Sequence, residues 1–348
     1  MTCMLLPRRA LLGAALLAPA LAPAWAPAWA PAWARGQGGD AWRPRRSAEG
    51  GHILPEPGRR AWAEAVPQIR VGLMGGENEA DRLARFDGLR TLLEETFRVP
   101  VRLMPASDYA GVQQALGARQ IEYAALGASA YAGTWIDTNG GVQPIATIEG
   151  EDGSTSYISV IVVRADSGIN DLEGLRGRSL AWADPNSASG YLIPRFELRR
   201  AGIGVEAGQY FGRTGFGGGH EQAVVAMLQR QYDAAVTWGS GTGDAARGFS
   251  RGNLRAMVEK GMLRPGEFRI IWQSRPIQNG PLTMRTDLPA EFREDIMRFY
   301  LALPGARPEV FRQIARGEGL GFREVRHEEY QLFIDMRREE AAARRRRA

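Results

Sequence analysis

The sequence predicts an α/β protein of two lobes, each a mainly parallel sheet flanked by helices, with a cleft between them. Three observations predict it. From about Gln68 onward, short apolar strand-like runs alternate with segments of helical spacing, the pattern that builds parallel sheets covered on both faces. That series runs once to about residue 127 and restarts at "YISVIVVRADS". The 348 residues, 44% hydrophobic and 24% charged, suffice for two packed lobes.

Taken in order, residues 1–34 stand apart. Arg8 and Arg9 precede an apolar run from Ala10 to Leu21, and "APAW" repeats lead to Ala34. Basic, apolar and then small residues read as a cleavable export signal ending there. The apolar run is too short and too broken by proline to cross a membrane as a helix. "RRALLGAA" fits a twin-arginine signal, and the same arginines fit an ordinary Sec signal. Cys3, the single cysteine, precedes the apolar run, so the mature chain has neither cysteine nor lipid anchor and holds its fold by burial alone. Residues 35–66 are rich in Gly, Pro, Arg and Ala without periodicity and read as a flexible or surface-hugging leader.

The first lobe, expected over 67–155, opens with strand-like "QIRVGL". Leu83, Phe86, Leu89, Leu93 and Phe97 follow at helical spacing. "VPVRLMP" is a second strand, "SDYAGVQQALGAR" a short helix opening at Ser107 or Asp108, and "IEYAALG" a third strand. The second lobe, expected over 156–274, contains "YISVIVVRADS", "SLAWA", a helix from His220 and the strand "DAAVTW". Residues 275–348 return to the first lobe through "GPLTMRT" and an amphipathic helix carrying Phe292, Ile296, Phe299 and Leu303, and end in a helix with a basic tail. Crossings near 153–160 and 270–282 are the expected hinges.

Charge excludes little. The formal net charge of +5 drops by two when Arg8 and Arg9 leave with the signal, too little to call for a nucleic-acid partner. Lys260 is the single lysine. Arg344 to Arg347 form the one basic run, which suits a solvated helix end. His52, His220 and His327 are far apart in sequence, and no metal or cofactor is expected.

In open α/β sheets, ligands sit where strands end and helices begin. The most suggestive such loop is "DPNSASGYLIP", which crowds Ser187, Ala188 and Ser189 at the mouth of a helix. The first N–H groups of a helix have no intrahelical partner, so they and the two hydroxyls suit a tetrahedral oxyanion; equally, Ser187 suits a simple N-cap. His220 follows three glycines and opens a helix, as either a cap or a neutral donor. Tyr109, at the head of its helix, is either a phenolic donor or a packing tyrosine.

"MPASDYAG", "DGSTSYISVIVVRADS", "DPNSASGYLIP", "GGGHEQAVVAM" and "YDAAVTW", in this order, resemble the phosphonate/phosphate-binding periplasmic proteins of ABC transporters over about residues 68 to 337. The resemblance implies a type II-like periplasmic-binding-protein fold and a monomeric receptor in the periplasm. It would close on a phosphonate, phosphate or phosphite and deliver it to a membrane permease. It also implies that Tyr109, Ser187, the Ala188 backbone, Ser189 and His220 grip the oxyanion, with Gly127, Tyr131, Asn186, Trp238 and Asn279 as candidates for further contacts. Aminoalkylphosphonate binders of this kind hold the ligand ammonium with carboxylates whose counterparts fall near Ser240 and Gly280, and neither position is acidic. A ligand-facing aromatic is replaced near Leu126, with Tyr131 as its possible substitute. A buried ammonium without an anion is costly, so a compact or uncharged-tail oxyanion is expected. A sulfonate or other anion receptor is the alternative of the same class. An exported hydrolase is the alternative of another, against which stand the lack of a "GxSxG" elbow and of a histidine-metal cluster.

Overall fold

The computed structural model describes residues 51–317 and 319–345. The expected export signal and the leader up to residue 50 lie outside the described residues, as do Arg346 and Arg347. Among the described residues, no helix is long and apolar enough to cross a membrane.

Sheet one starts with β1 (Ile69–Leu73), whose neighbour β2 (Val101–Pro105) is reached through α1 (Glu79–Phe97). The helix α2 (Tyr109–Gly117) leads to β3 (Tyr123–Ala125), on the other side of β1, and α3 (Ala128–Asp137) leads to β4 (Val142–Glu149). The chain then crosses to sheet two. There β5 (Ser156–Arg164) and β6 (Ser179–Trp182) precede a helix that opens with one wide π turn, Ala188–Leu192, and continues as α4 (Ile193–Arg200). Then come β7 (Arg213–Phe216), α5 (His220–Leu228), β8 (Ala234–Gly239), α6 (Asn253–Glu259) and β9 (Phe268–Gln273). The two-residue β10 (Ile277–Gln278) pairs antiparallel with β5, and β11 (Pro281–Arg285) rejoins sheet one. The chain ends through α7 (Ala290–Ala306), α8 (Pro308–Ala315), β12 (Gly321–Glu324) and α9 (Gln331–Arg345).

The expected two-sheet α/β architecture is present, with one correction. Sheet one, in the order β12-β4-β11-β3-β1-β2, and sheet two, β10-β5-β8-β6-β7 with β9 also on β5, are mixed rather than mainly parallel. The parallel pairs are β1 with β2 and β3, and β6 with β7 and β8. Every pair that involves a crossing or returning strand is antiparallel, because a strand arriving from the other sheet runs opposite to the βα units it joins.

The chain before residue 67 also differs from expectation. Its described part is packed: Ala61–Glu64 form a short 3₁₀ turn, and Trp62, Ala63 and Val66 are buried in the core of sheet one. The Trp62 ring meets Phe292 edge-on with centroids 4.9 Å apart, and its Nε1 donates to Asp295 at 2.9 Å. A Trp buried with its N–H satisfied contributes on the order of 2–3 kcal/mol, enough to fix this stretch.

Sheet two is covered on one face by α5 and α6 around Val224, Met227 and Leu254, and on the other by Leu198, Tyr210 and Phe211. Between the sheets, α2, α3 and α9 share a core with Tyr157, Ala188 and Leu192. The helix α9 spans both sides: Arg337 reaches Asn186 at 2.9 Å, and Glu340 pairs with Arg195 at 3.1 Å. The two crossings are hydrogen-bonded to each other, Ile277 to Tyr157 and Gln278 to Ser156.

Candidate functional site

Four helices begin at one interlobe cavity. Its volume is about 230 Å³, and its wall includes Tyr109, Gly127, Ser187, Ala188, Ser189 and His220. Tyr109 is the first residue of α2, Gly127 the N-cap of α3, Ser187 the N-cap of the helix continued by α4, and His220 the first residue of α5. Each start presents backbone N–H groups without intrahelical partners and the positive end of a dipole. The arrangement follows from topology: all four helices leave the C-terminal side of a strand, where such sheets present their loops.

Ser187 is an N-cap that also lies on the cavity wall. Its Oγ accepts the Gly190 N–H at 2.9 Å, as an N-cap does, and lies 3.1 Å from His220 Nε2 on the cavity wall. Ser189 is 2% exposed, and the Ser159 hydroxyl donates to its carbonyl at 2.6 Å. Tyr157, on the first crossing, also lines the cavity. Burial raises its hydroxyl pKa, with an opposing hydrogen bond from Ser189. Burial, then the nearby Asp184 carboxylate, raises that of Tyr109, so both phenols remain neutral donors.

His220 is buried, and its pKa is lowered to about 3 by that burial and then by the Arg316 charge. Its Nδ1 has no hydrogen-bond partner among the described residues. A neutral imidazole with an orphaned ring nitrogen against a cavity is one hydrogen bond short. Trp238 lies beside it, ring centroids 6.5 Å apart.

The remaining candidates divide. Asn279 reaches the cavity wall, but its backbone N–H donates to the Thr155 carbonyl at 2.7 Å and its Nδ2 to the Ile148 carbonyl at 2.8 Å, so its amide also ties the crossings together. Tyr131 and Asn186 are not brought to the cavity. Tyr131 is fully buried with its hydroxyl 2.7 Å from His327 Nδ1, and Asn186 accepts from Arg337. The Tyr131 ring packs instead edge-on against Tyr330, with centroids 5.1 Å apart, and against His327.

Gly280, the counterpart of an ammonium-binding carboxylate, cannot carry a side chain, since a Cβ there would fall 1.9 Å from the Leu126 carbonyl oxygen. Sequence reasoning also missed Arg251 and Arg316, both on the cavity wall, whereas the Met74–Gly76 turn there is a strand-end loop of the kind expected to line a ligand site. In a chain whose basic residues are arginine but for Lys260, no single arginine stands out by type.

Charge at the rim is organised around Glu77. It is 8% exposed, 2.6 Å from Arg316, bonded to Arg85 and 4.0 Å from Lys260. Burial raises its pKa, but Arg316, Arg85 and Lys260 outweigh burial and hold it below the usual carboxylate range. Arg82, 2% exposed, donates to the Met74 carbonyl and fixes the turn. Among the described residues, no group of His, Cys, Asp and Glu could hold a metal ion.

Two sheets bridged by crossing strands, with helix N-termini converging on the cavity between them, define the class of two-lobe periplasmic binding proteins. Within that class, the family described as "ABC transporter, phosphonate, periplasmic substrate-binding protein" matches residues 71–330, and the chain belongs to it. It is 32% identical over 223 residues to the phosphate-import protein PhnD of Mycolicibacterium smegmatis, covering 61% of this chain and 64% of that protein. It is 27% identical over 250 residues to the phosphonates-binding periplasmic protein of Escherichia coli, covering 71% and 69%. The fold is similar to that of PhnD1 from Prochlorococcus marinus, solved with methylphosphonate, at a TM-score of 0.66 and 17% identity, covering 79% of this chain and 98% of that one.

Proposed function

We propose that this protein is the extracytoplasmic receptor of an ABC importer. It captures a phosphonate or a related phosphorus oxyanion (phosphate, phosphite or a short alkylphosphonate) by closure of its two lobes and delivers it to a membrane permease. The observation that carries this reading is the convergence of Ser187, Ser189, Tyr109 and the neutral, one-bond-short His220 on helix N-termini at one cavity. All offer neutral hydrogen-bonding groups, and a buried oxyanion supplies the partner that His220 Nδ1 lacks among the described residues. The names of the two curated relatives, one for phosphate and one for phosphonates, point to the same class of cargo.

The chemistry favours binding without turnover. A Ser–His contact of 3.1 Å exists, but Ser187 Oγ is engaged as an N-cap, and a histidine held near 3 is a weak general base at neutral pH. His220 also lacks the carboxylate that would orient it, since its Nδ1 is unpaired among the described residues.

Isothermal titration with phosphate, phosphite, methylphosphonate, sulfate and methanesulfonate tests the proposal. A phosphorus oxyanion is expected to bind at least about tenfold more tightly than the sulfur oxyanions, and Ser187→Ala to weaken that binding by about 10- to 100-fold. Preference for a sulfur oxyanion would instead make this a sulfonate or sulfate receptor.

A further inference from the structure

Arg251 is the buried cation of the cleft that the proposed oxyanion cradle does not use. It is 4% exposed and stands on the cavity wall, yet among the described residues its Nη2 has no hydrogen-bond partner and no carboxylate forms an ion pair with it, the exposed Asp152 acting on it only from beyond ion-pair distance. The other cavity-lining arginines are engaged: Arg82 with the Met74 carbonyl, and Arg85 and Arg316 with Glu77. A guanidinium taken out of water without an anion is unfavourable, so its counter-charge is the component missing from this wall.

The position is a constructed one. The Arg251 carbonyl accepts from Ser240 N–H at 2.8 Å, Gly252 bridges to Gly239, and Arg251 itself bridges to Gly317 of the facing lobe. The guanidinium lies 5.8 Å from the centre of the Trp238 ring, an arrangement that holds it in place. It borders the cradle on the Trp238 and Tyr157 side, where the Trp238 ring lies 5.4 Å from Tyr157 and 6.5 Å from His220. The positive charge felt at Tyr109 and His220 is that of Arg316, whereas Arg251 acts on Tyr157.

Resting on the receptor reading above, we propose that Arg251 makes this cleft select a phosphorus oxyanion bearing a second anionic group, which the guanidinium receives as the cradle receives the first. The planar fork of arginine suits a carboxylate or a second phosphoryl group in two-point contact. The strand end beside Ser240, the counterpart of an ammonium-binding carboxylate, thus presents the opposite charge. An aminoalkyl tail is repelled there, and an acidic one is held.

The test compares, by isothermal titration of the full chain, ligands matched in length. They are 3-phosphonopropionate against propylphosphonate and 3-aminopropylphosphonate, and methylenediphosphonate against ethylphosphonate. At least one diacidic ligand is expected to bind about tenfold or more tightly than its alkyl match, and which arm wins identifies the second group. Arg251→Gln is expected to abolish that advantage while propylphosphonate binding changes by less than about threefold, which also shows that the variant is folded. Arg251→Lys is expected to retain part of it. Equal affinity for matched diacidic and alkyl ligands would overturn the proposal. So would an Arg251→Gln variant that weakens every ligand alike, since the arginine would then serve the phosphonate group itself. Failure of every phosphonate to bind the unaltered protein would overturn the receptor reading as well, which separates the two failures.

Discussion

At the scale of single residues, His220 and Ser187 make opposite predictions for pH and for stability. The His220 imidazole titrates near 6.5 in the unfolded chain and near 3 when folded, so between those values the unfolded state binds more protons. Stability therefore rises with pH across that window, is complete above about 6.5 and is lost as pH falls toward 3. His220→Gln is expected to flatten the acid limb of a denaturation midpoint measured from pH 4 to 7, and an unchanged limb would mean that the ring is not buried as described. Ser187→Ala acts at all pH values. It removes the acceptor of the Gly190 N–H, and loss of an N-cap costs about 0.5–2 kcal/mol, readable by urea unfolding without ligand.

At the scale of elements, the glycine run before α5 allows the lobes to meet. A Cβ on Gly219 would lie 2.2 Å from the Gly76 Cα of the opposite lobe, while the extended backbone at 219 accepts any residue. Gly219→Ala is therefore expected to leave the unfolding midpoint of the ligand-free protein nearly unchanged and to weaken ligand binding by about 10- to 100-fold, the cost of overpacking a close contact. Loss of stability without loss of affinity would show that the contact belongs to the core rather than to closure. This run was legible in the sequence as a loop opening a helix, and so were the strands from "QIRVGL" to "DAAVTW", because period-two and period-3.6 patterns mark half-buried elements. The helix α3 was not. Its Ala128, Ala130, Tyr131, Ala132 and Thr134 are all buried between neighbours, so it has no polar face to betray its period. The placement of Tyr131 was not legible either, since its proximity to Leu126 in sequence says nothing about the direction in which a helix turns its side chain. The packing of Trp62 was hidden by the Pro- and Arg-rich text around it, since one aromatic residue seated in a distant core creates no local pattern.

At the scale of the whole molecule, the proposed closure would gather charge at the rim as well as donors at the centre. Lys260, the single lysine, ends α6 in one lobe and reaches Asp81 of α1 in the other at 2.9 Å, while Glu221 of its own lobe holds it at 2.9 Å. Burial lowers its pKa, but the hydrogen bonds with Asp81 and Glu221 outweigh burial and leave it raised, so the amine is charged throughout the physiological range. At 26% exposure such a latch contributes about 0.2–1 kcal/mol and is screened by salt. Lys260→Met is therefore expected to raise the ligand Kd by only about two- to fivefold, mainly through faster release, and to reduce its dependence on ionic strength. Because no other side-chain amine exists, the same residue reports on closure directly: ligand should slow modification of Lys260 by an amine-reactive reagent, and Gly219→Ala should remove that protection. Equal labelling with and without ligand would show that the latch does not open and close with the cleft, and that capture proceeds within a fixed interlobe geometry.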